Sequence, residues 1–195
     1  MPTVTADRHP AFAVWITGLP ASGKSAVTAE LVRLLREAGV DPVVLESDAL
    51  RQVFSQAPAY DEAGREYFYT AVAFIAATLV SHGVPVIVDA TANRRAYRDR
   101  ARKAIHRFAE VYVDCPLEVC IGRDPKGLYR QALMNPNNQL PGLGAAYEPP
   151  QHPDFTVQGD LEPPDQAARR LLDALREKFG DLGNLIETPR PLPDR

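Results

Sequence analysis

The octapeptide GLPASGKS, residues 18–25, fits the template G-x-x-x-x-G-K-[ST] without a gap and directly follows the apolar run FAVWIT. A turn of this kind constrains a fold strongly. Its main-chain N–H groups point inward around an anion, and the positive end of a following helix must face the same anion. The flanking sequence meets these demands. Residues 12–17 are nearly all apolar, as in a strand buried on both faces of a parallel sheet. After the turn, Val27, Leu31, Leu34, Leu35 and Ala38 recur at helical spacing, and Gly39 is a natural helix stop.

The same alternation continues. Residues 42–48 (PVVLESD) read as a second strand, and 61–82 as a long helix capped by Asp61 and ended by Gly83. Residues 84–91 (VPVIVDAT) read as a third strand, 94–108 as a basic helix, and 110–115 (EVYVDC) as a fourth strand. A short helix with Pro116 in its first turn follows. Residues 124–154 are rich in Pro, Gly and Asn and read as a long loop, of the length that is usually functional or disordered. DFTVQGD is a short fifth strand, and residues 163–180 form a closing amphipathic helix with Ala168, Leu171, Leu172 and Leu175 on one face. Strands alternating with helices predict an α/β fold, a doubly wound parallel five-stranded sheet. A single domain over residues 1–195 is expected, with a lid at about 123–154 and a flexible tail at about 181–195.

Ligands on such sheets bind beyond the carboxyl ends of the strands. The turn, Asp48, Asp89 and Cys115 all fall there. In the turn, Gly18, Ala21, Ser22, Gly23, Lys24, Ser25 and Ala26 are the expected phosphate cradle of ATP, with Lys24 on the β/γ oxygens and Ser25 offering its hydroxyl to Mg²⁺. Chain length disfavours most motors, and the N-K-x-D sequence that reads guanine is absent. A small-molecule kinase fits best. Such an enzyme needs a carboxylate near the acceptor hydroxyl and near the metal. Asp48 is the leading candidate, as base or as holder of a metal-bound water. Asp89 is the second metal candidate. The bland alternative for each acid is a helix N-cap. Arginines should neutralise the phosphoryl group and grip an anionic substrate, so Arg51, Arg65, Arg94 and Arg95 are drawn into the same space.

The net charge of −3 gives no reason to expect nucleic acid or an anionic membrane, although the basic helix admits a second reading as a nucleic-acid stripe. No apolar run reaches the roughly 20 residues of a membrane span. The opening MPTVTADRHPAF lacks the pattern of a signal peptide, so a cytoplasmic location is expected. Cys115 and Cys120 are too few for a metal site and read as reduced thiols.

Three blocks carry a family resemblance: VWITGLPASGKS, DCPLEVCIGRDPKGLYRQA (residues 114–132) and AYEPPQHPDF (146–155). In combination and spacing they resemble adenylylsulfate (APS) kinases over nearly the whole chain. The resemblance implies transfer of the γ-phosphate of ATP to the 3′-hydroxyl of adenylyl sulfate, with Mg²⁺. It implies that Asp48 is the base or metal-ordering acid, that Arg51 and Arg65 contact substrate, and that Arg123 lies over the adenine. It also implies that Lys126 begins a lid which excludes water. By analogy with relatives of this type, which are often dimers, a homodimer is expected.

The departures are confined to the acceptor half. The family's D-G-D reads Glu46-Ser47-Asp48 here. Its K-N-F-T-G-I reads Asn138-Gln139-Leu140-Pro141-Gly142-Leu143, so the stacking aromatic and the cation are gone. Its F-I-S-P-Y-R reads Ala90-Thr91-Ala92-Asn93-Arg94-Arg95, and the Asn after the matched arginine reads Phe68. The acceptor pocket is therefore expected among Arg51, Arg65, Asn93, Arg94 and Leu140. The alternatives are another acceptor (a different nucleotide, an antibiotic or a polynucleotide end) or a nucleotide-binding module without transfer activity.

Overall fold

The computed structural model describes residues 11–53 and 60–182. Five strands, β1 (Ala13–Thr17), β2 (Val43–Glu46), β3 (Val86–Asp89), β4 (Phe108–Asp114) and β5 (Phe155–Gln158), form one parallel sheet in the order β2-β3-β1-β4-β5. Seven helices accompany them among the described residues: α1 (Lys24–Glu37), α2 (Ser47–Val53), α3 (Glu62–Ser81), α4 (Arg95–Ala104), α5 (Leu117–Arg123), α6 (Leu128–Leu133) and α7 (Pro164–Phe179).

The strand pleat sorts the apolar residues into two layers. On one face Phe12, Val14 and Ile16 pack with Val111 and Val113 against Leu31 and Leu35 of α1 and Leu171 and Leu175 of α7. On the other, Ala13, Trp15, Val86 and Val88 pack against Phe68, Val72 and Ala76 of α3 and Tyr97 and Ala101 of α4. Both faces are covered, which is why β1 reads as an unbroken apolar run with all five residues buried. Each fully buried leucine in these layers contributes about 1.5–3 kcal/mol.

The expected punctuation holds in detail. Helix α1 ends at Glu37, two residues before Gly39, whose φ of 81° turns the chain while its N–H donates to the Arg36 carbonyl and that of Val40 donates to the Leu35 carbonyl. The Asp61 carboxylate caps α3 by accepting from the Gly64 N–H at 2.8 Å. Three expectations need correction. Asp48 lies not at a strand end but in the first turn of α2, because β2 stops at Glu46. Pro116 stands just before α5 as its N-cap rather than inside the first turn. The segment 124–154 is not all loop: α6 interrupts it, started by Gly127 at φ 68° and by the Asp124 carboxylate, which accepts from the N–H groups of Tyr129 and Arg130. The tail expected to be flexible lies, from residue 183 onward, outside the described residues.

The second reading of α4, as a nucleic-acid stripe, does not survive its side chains. Arg94 pairs with Glu62 and Glu148, Arg95 with Glu148, Arg100 with Glu66, and Arg102 with Glu110 and Asp154. Arg98 is fully buried; it pairs with Glu110 at 2.6 Å and donates to the carbonyls of Ala92 and Glu148. Neighbouring elements supply the counter-charges, so little field is left over for phosphates. Arg98→Met removes one partner of a buried ion pair and leaves two carbonyls unpaired. A loss of about 3–5 kcal/mol is expected, read as a lower midpoint in urea unfolding.

Candidate active site

Register builds the site. Ile16 of β1, Asp89 of β3 and Glu46 of β2 stand in one row, and Thr17 pairs with Tyr112 of β4, so the carboxyl ends of four strands finish near one level. The turn after β1 rises from that level. Gly18 has φ 154° and Gly23 φ 108°, and Ala21 also takes a positive φ of 60°. A Cβ on Gly18 would stand 2.5 Å from the Val113 carbonyl oxygen. The loop after β5 presses on the turn from the other side, since a Cβ on Gly159 would stand 2.3 Å from the Ser22 carbonyl oxygen.

Lys24, the first residue of α1, is 8% exposed and donates to the Leu19 carbonyl at 2.8 Å within its own turn. Burial pushes its ammonium below the ordinary lysine value; Asp89 and Asp48 act on it in the opposite sense, so both acids lie within electrostatic reach of the turn. Asp89 is 5% exposed and no hydrogen bond or ion pair engages it among the described residues. Asp48 takes an ion pair from Lys126 at 2.6 Å. Neither acid therefore serves as an N-cap. Lys126, expected to begin a lid, reaches across to the acid, and the hydrogen bond to Asp48 raises its pKa. The pair is more than half exposed at both ends. Such pairs contribute about 0–1 kcal/mol and break easily.

Arg123, which the resemblance puts over the adenine, borders a cleft. Its guanidinium donates to the Gly159 carbonyl at 2.8 Å and borders a cavity of about 400 Å³ with Gly23, Ala26, Val27, Asp160, Leu161 and Pro163. Residues 159–163 were not anticipated as part of the site, although the Gly-Asp pair ahead of two prolines marks a tight turn. Ser25 and Ala26 lie exposed at the start of α1.

On the acceptor side, Arg65 gathers several elements. It donates to the Tyr60 carbonyl at 2.7 Å, to Asn93 Oδ1 at 2.7 Å and to the Gln139 carbonyl. Asn93 in turn donates to the Ala146 carbonyl at 2.8 Å. Together they fasten the segment around residues 139–146 to α3 and the end of β3. Arg51 stands one turn after Asp48 in α2. Two expected pocket residues are engaged elsewhere: Arg94 is held by Glu62 and Glu148, and Leu140 packs with Leu19, Ala21, Leu117 and Leu143 around Cys115, Cys120 and Tyr129. Tyr129 also donates to the Pro20 carbonyl at 3.0 Å, a second tie between this segment and the phosphate turn. Both cysteines are free and buried, and burial, with Cys115 alongside, pushes the Cys120 thiol up to about 12, so it stays protonated and inert.

A parallel sheet with a phosphate turn at its switch point, two acids within electrostatic reach of the turn's lysine, and two buried arginines without an acidic partner among the described residues mark a P-loop phosphotransferase that acts on a hydroxyl acceptor. The comparisons with known proteins narrow the class. The model of the family described as adenylylsulphate kinase matches residues 10–158. A probable adenylyl-sulfate kinase of Pyrococcus abyssi is 35% identical over 166 residues, covering 85% of this chain and 95% of that one. An adenylyl-sulfate kinase of Synechococcus sp. (strain JA-3-3Ab) is 39% identical over 163 residues, covering 84% and 93%. The solved APS kinase of Mycobacterium tuberculosis in complex with AMPPNP and APS is 33% identical, with a TM-score of 0.80 over 86% of this chain and 98% of that one. The chain belongs to the adenylylsulphate kinase family.

The crowding at the turn makes a prediction. Gly159→Ala and Gly18→Ala each drive a Cβ into main-chain oxygen and displace the phosphate cradle. ATP affinity is expected to fall at least tenfold in titration calorimetry, with the helical circular dichroism signal kept.

Proposed function

We propose that this protein transfers the γ-phosphate of ATP to the 3′-hydroxyl of adenylyl sulfate. The observation that carries the reading is the juxtaposition of Lys24 with two acids, Asp48 and Asp89, at the mouth of the phosphate turn, with Arg51 one turn further along α2. The family supplies the named acceptor; the APS kinase of Mycobacterium tuberculosis is itself described in complex with AMPPNP and APS.

The roles follow from position. The cleft beside Arg123 takes the nucleobase, and the main-chain N–H groups of residues 21–26 and Lys24 take the phosphates. Asp48 accepts the proton of the acceptor hydroxyl as that oxygen bonds to the γ-phosphorus and the bridging bond to ADP breaks. Arg51 and Arg65 hold the acceptor's anionic group. The segment from Lys126 to Ala146 serves as a lid, clasped by Arg65, Asn93 and Tyr129, that keeps water from competing for the phosphoryl group.

The donors also suit Mg²⁺ carried in by ATP. No cluster of three or more acidic, histidine or cysteine ligands exists among the described residues, so there is no all-protein cage. An exposed Ser25 hydroxyl and an unpaired, buried Asp89 match an ion that keeps waters and phosphate oxygens as most of its shell. When bound, Mg²⁺ neutralises charge on the transferring group. The hydroxyl of Ser25 would touch it, while Asp89 would orient its waters.

Among the described residues no helix is long and apolar enough to cross a membrane. Leu140, turned into the cluster under the phosphate turn, gives the acceptor base no ring from the lid, so a different nucleotide is the reading to test alongside adenylyl sulfate.

The test is ADP release with ATP, Mg²⁺ and adenylyl sulfate. A rate well above that with ATP alone is expected, and a rate no higher rejects this acceptor. Asp48→Asn should lower turnover about 100-fold or more and change ATP affinity only a few-fold. Unchanged turnover in that variant would remove Asp48 from the chemistry.

A further inference from the structure

The arginines of α4 and those of the acceptor side differ in how they are paired. Those of α4 are matched to carboxylates. Arg51 and Arg65 are not: they are 8% and 5% exposed, and neither forms an ion pair with an acid among the described residues. Arg65 spends three N–H groups on neutral oxygens. Among the described residues Arg51 donates no hydrogen bond, and its Nη1 is buried without a partner. A buried cationic donor left unpaired costs several times what an ordinary hydrogen bond contributes, so the arrangement calls for an acceptor that arrives from outside.

What holds Arg51 in place is aromatic. Its guanidinium carbon lies 3.9 Å from the centroid of Phe68, 4.7 Å from Tyr60 and 5.8 Å from Tyr69. Phe68 is fully buried in α3 and packs edge-on against Tyr69 at 5.2 Å, so its ring is itself fixed. A ring attracts the cation through its quadrupole and touches the guanidinium face. A carboxylate in the same place would occupy the N–H edge and cancel the charge.

We propose that Phe68 and Tyr60 are positioning residues of the acceptor site, which clamp the Arg51 guanidinium by its faces and so keep its N–H edge for a tetrahedral oxyanion, a sulfate or phosphate group, on the acceptor. The donor count favours that class. With three of Arg65's N–H groups committed, roughly seven remain on the two guanidiniums, against roughly four acceptor sites on a carboxylate. A three-oxygen group uses such a set more fully. Burial and the neighbouring Arg51 both push Arg65 below the ordinary arginine value, and an anion between the two would relieve this. The inference rests on the kinase reading only in placing the acceptor beside Asp48.

The experiment fills the phosphate turn with a non-hydrolysable ATP analogue and titrates inorganic sulfate, inorganic phosphate and adenylyl sulfate in separate runs. In Phe68→Leu the dissociation constant of the bound oxyanion is expected to rise about tenfold, by the same factor for adenylyl sulfate as for the free anion. In turnover the loss should fall on the acceptor KM, with a smaller change in kcat, and Phe68→Tyr, which keeps the ring, should recover most of it. The tighter of the two free anions identifies the group the acceptor carries. Anion affinity unchanged in a folded Phe68→Leu overturns the proposal, as does a loss that falls equally on ATP. Should thermal scanning find Phe68→Leu unfolded, Tyr60→Leu decides instead, because that ring is 57% exposed: a several-fold weaker grip on free anion supports the clamp and none refutes it. The two readings fail separately. Oxyanion binding that depends on Phe68 without ADP release leaves the clamp standing and removes adenylyl sulfate as substrate; ADP release with anion binding indifferent to Phe68 does the reverse.

Discussion

Main chain touches main chain at the base of the phosphate turn, and the rest of the site is arranged around that contact. Gly18 lies against the Val113 carbonyl at the end of β4, and Gly159 against the Ser22 carbonyl. The turn is thus pinched between β4 and the loop that leaves β5. A side chain at either glycine would force the strands apart or the loop outward. With the pinch in place, Lys24 is directed back over its own turn, α1 begins with its free N–H groups facing the mouth, and the cleft beside Arg123 is closed on its far side by residues 159–163. Nucleotide geometry in this protein is a consequence of strand spacing.

Charge is distributed by the same economy of position. On α4, arginines and glutamates meet on the surface or, at Arg98 and Glu110, inside the protein, where the pair joins β4, the end of β3 and the segment near Glu148. These charges hold structure together and leave no field to recruit a ligand. At the mouth of the turn the matching is withheld. Among the described residues Asp89 has no partner, Arg51 has no acceptor or acid, and Arg65 meets only neutral oxygens. Asp48 has a partner, Lys126, but one held in an exposed pair that competes poorly with incoming substrate. Unmatched charge beside a matched scaffold is what separates the site from the surface in this chain.

Much of this was legible in the sequence, for physical reasons. The strands are short apolar runs with β-branched residues, α1 and α7 carry 3.6-residue periodicity, and Gly39, Asp61 and Gly83 sit where a chain must stop or start. The phosphate turn is contiguous, so pattern alone locates it. The rest was hidden because it depends on contacts distant in sequence or on elements too short to show a period. Helix α2 is seven residues long and α6 six. The Lys126–Asp48 pair spans 78 positions and the Arg65–Gln139 bond 74. Arg94 looked free because nothing nearby in sequence hints that Glu148 comes to meet it. Phe68 looked like a lost polar contact, since a sequence reveals the residue that is missing and not the cation resting on the ring that replaced it.

That exchange at position 68 also bears on stability. An aromatic ring in the middle of α3 adds to the apolar layer with Tyr69 and Val72 and supports the fold outright. The guanidinium laid on it does the opposite: removed from water and left without an anion, it costs free energy that an acid at the same place would offset. The ring recovers part of that cost, about 0.5–2 kcal/mol on the scale of cation–π contacts. It does so without spending the donors that an anion needs. An acid would stabilise the empty protein more and bind the acceptor less, because substrate would first have to displace it. Placing apolar aromatic surface under a buried cation therefore favours affinity over resting stability where the two compete.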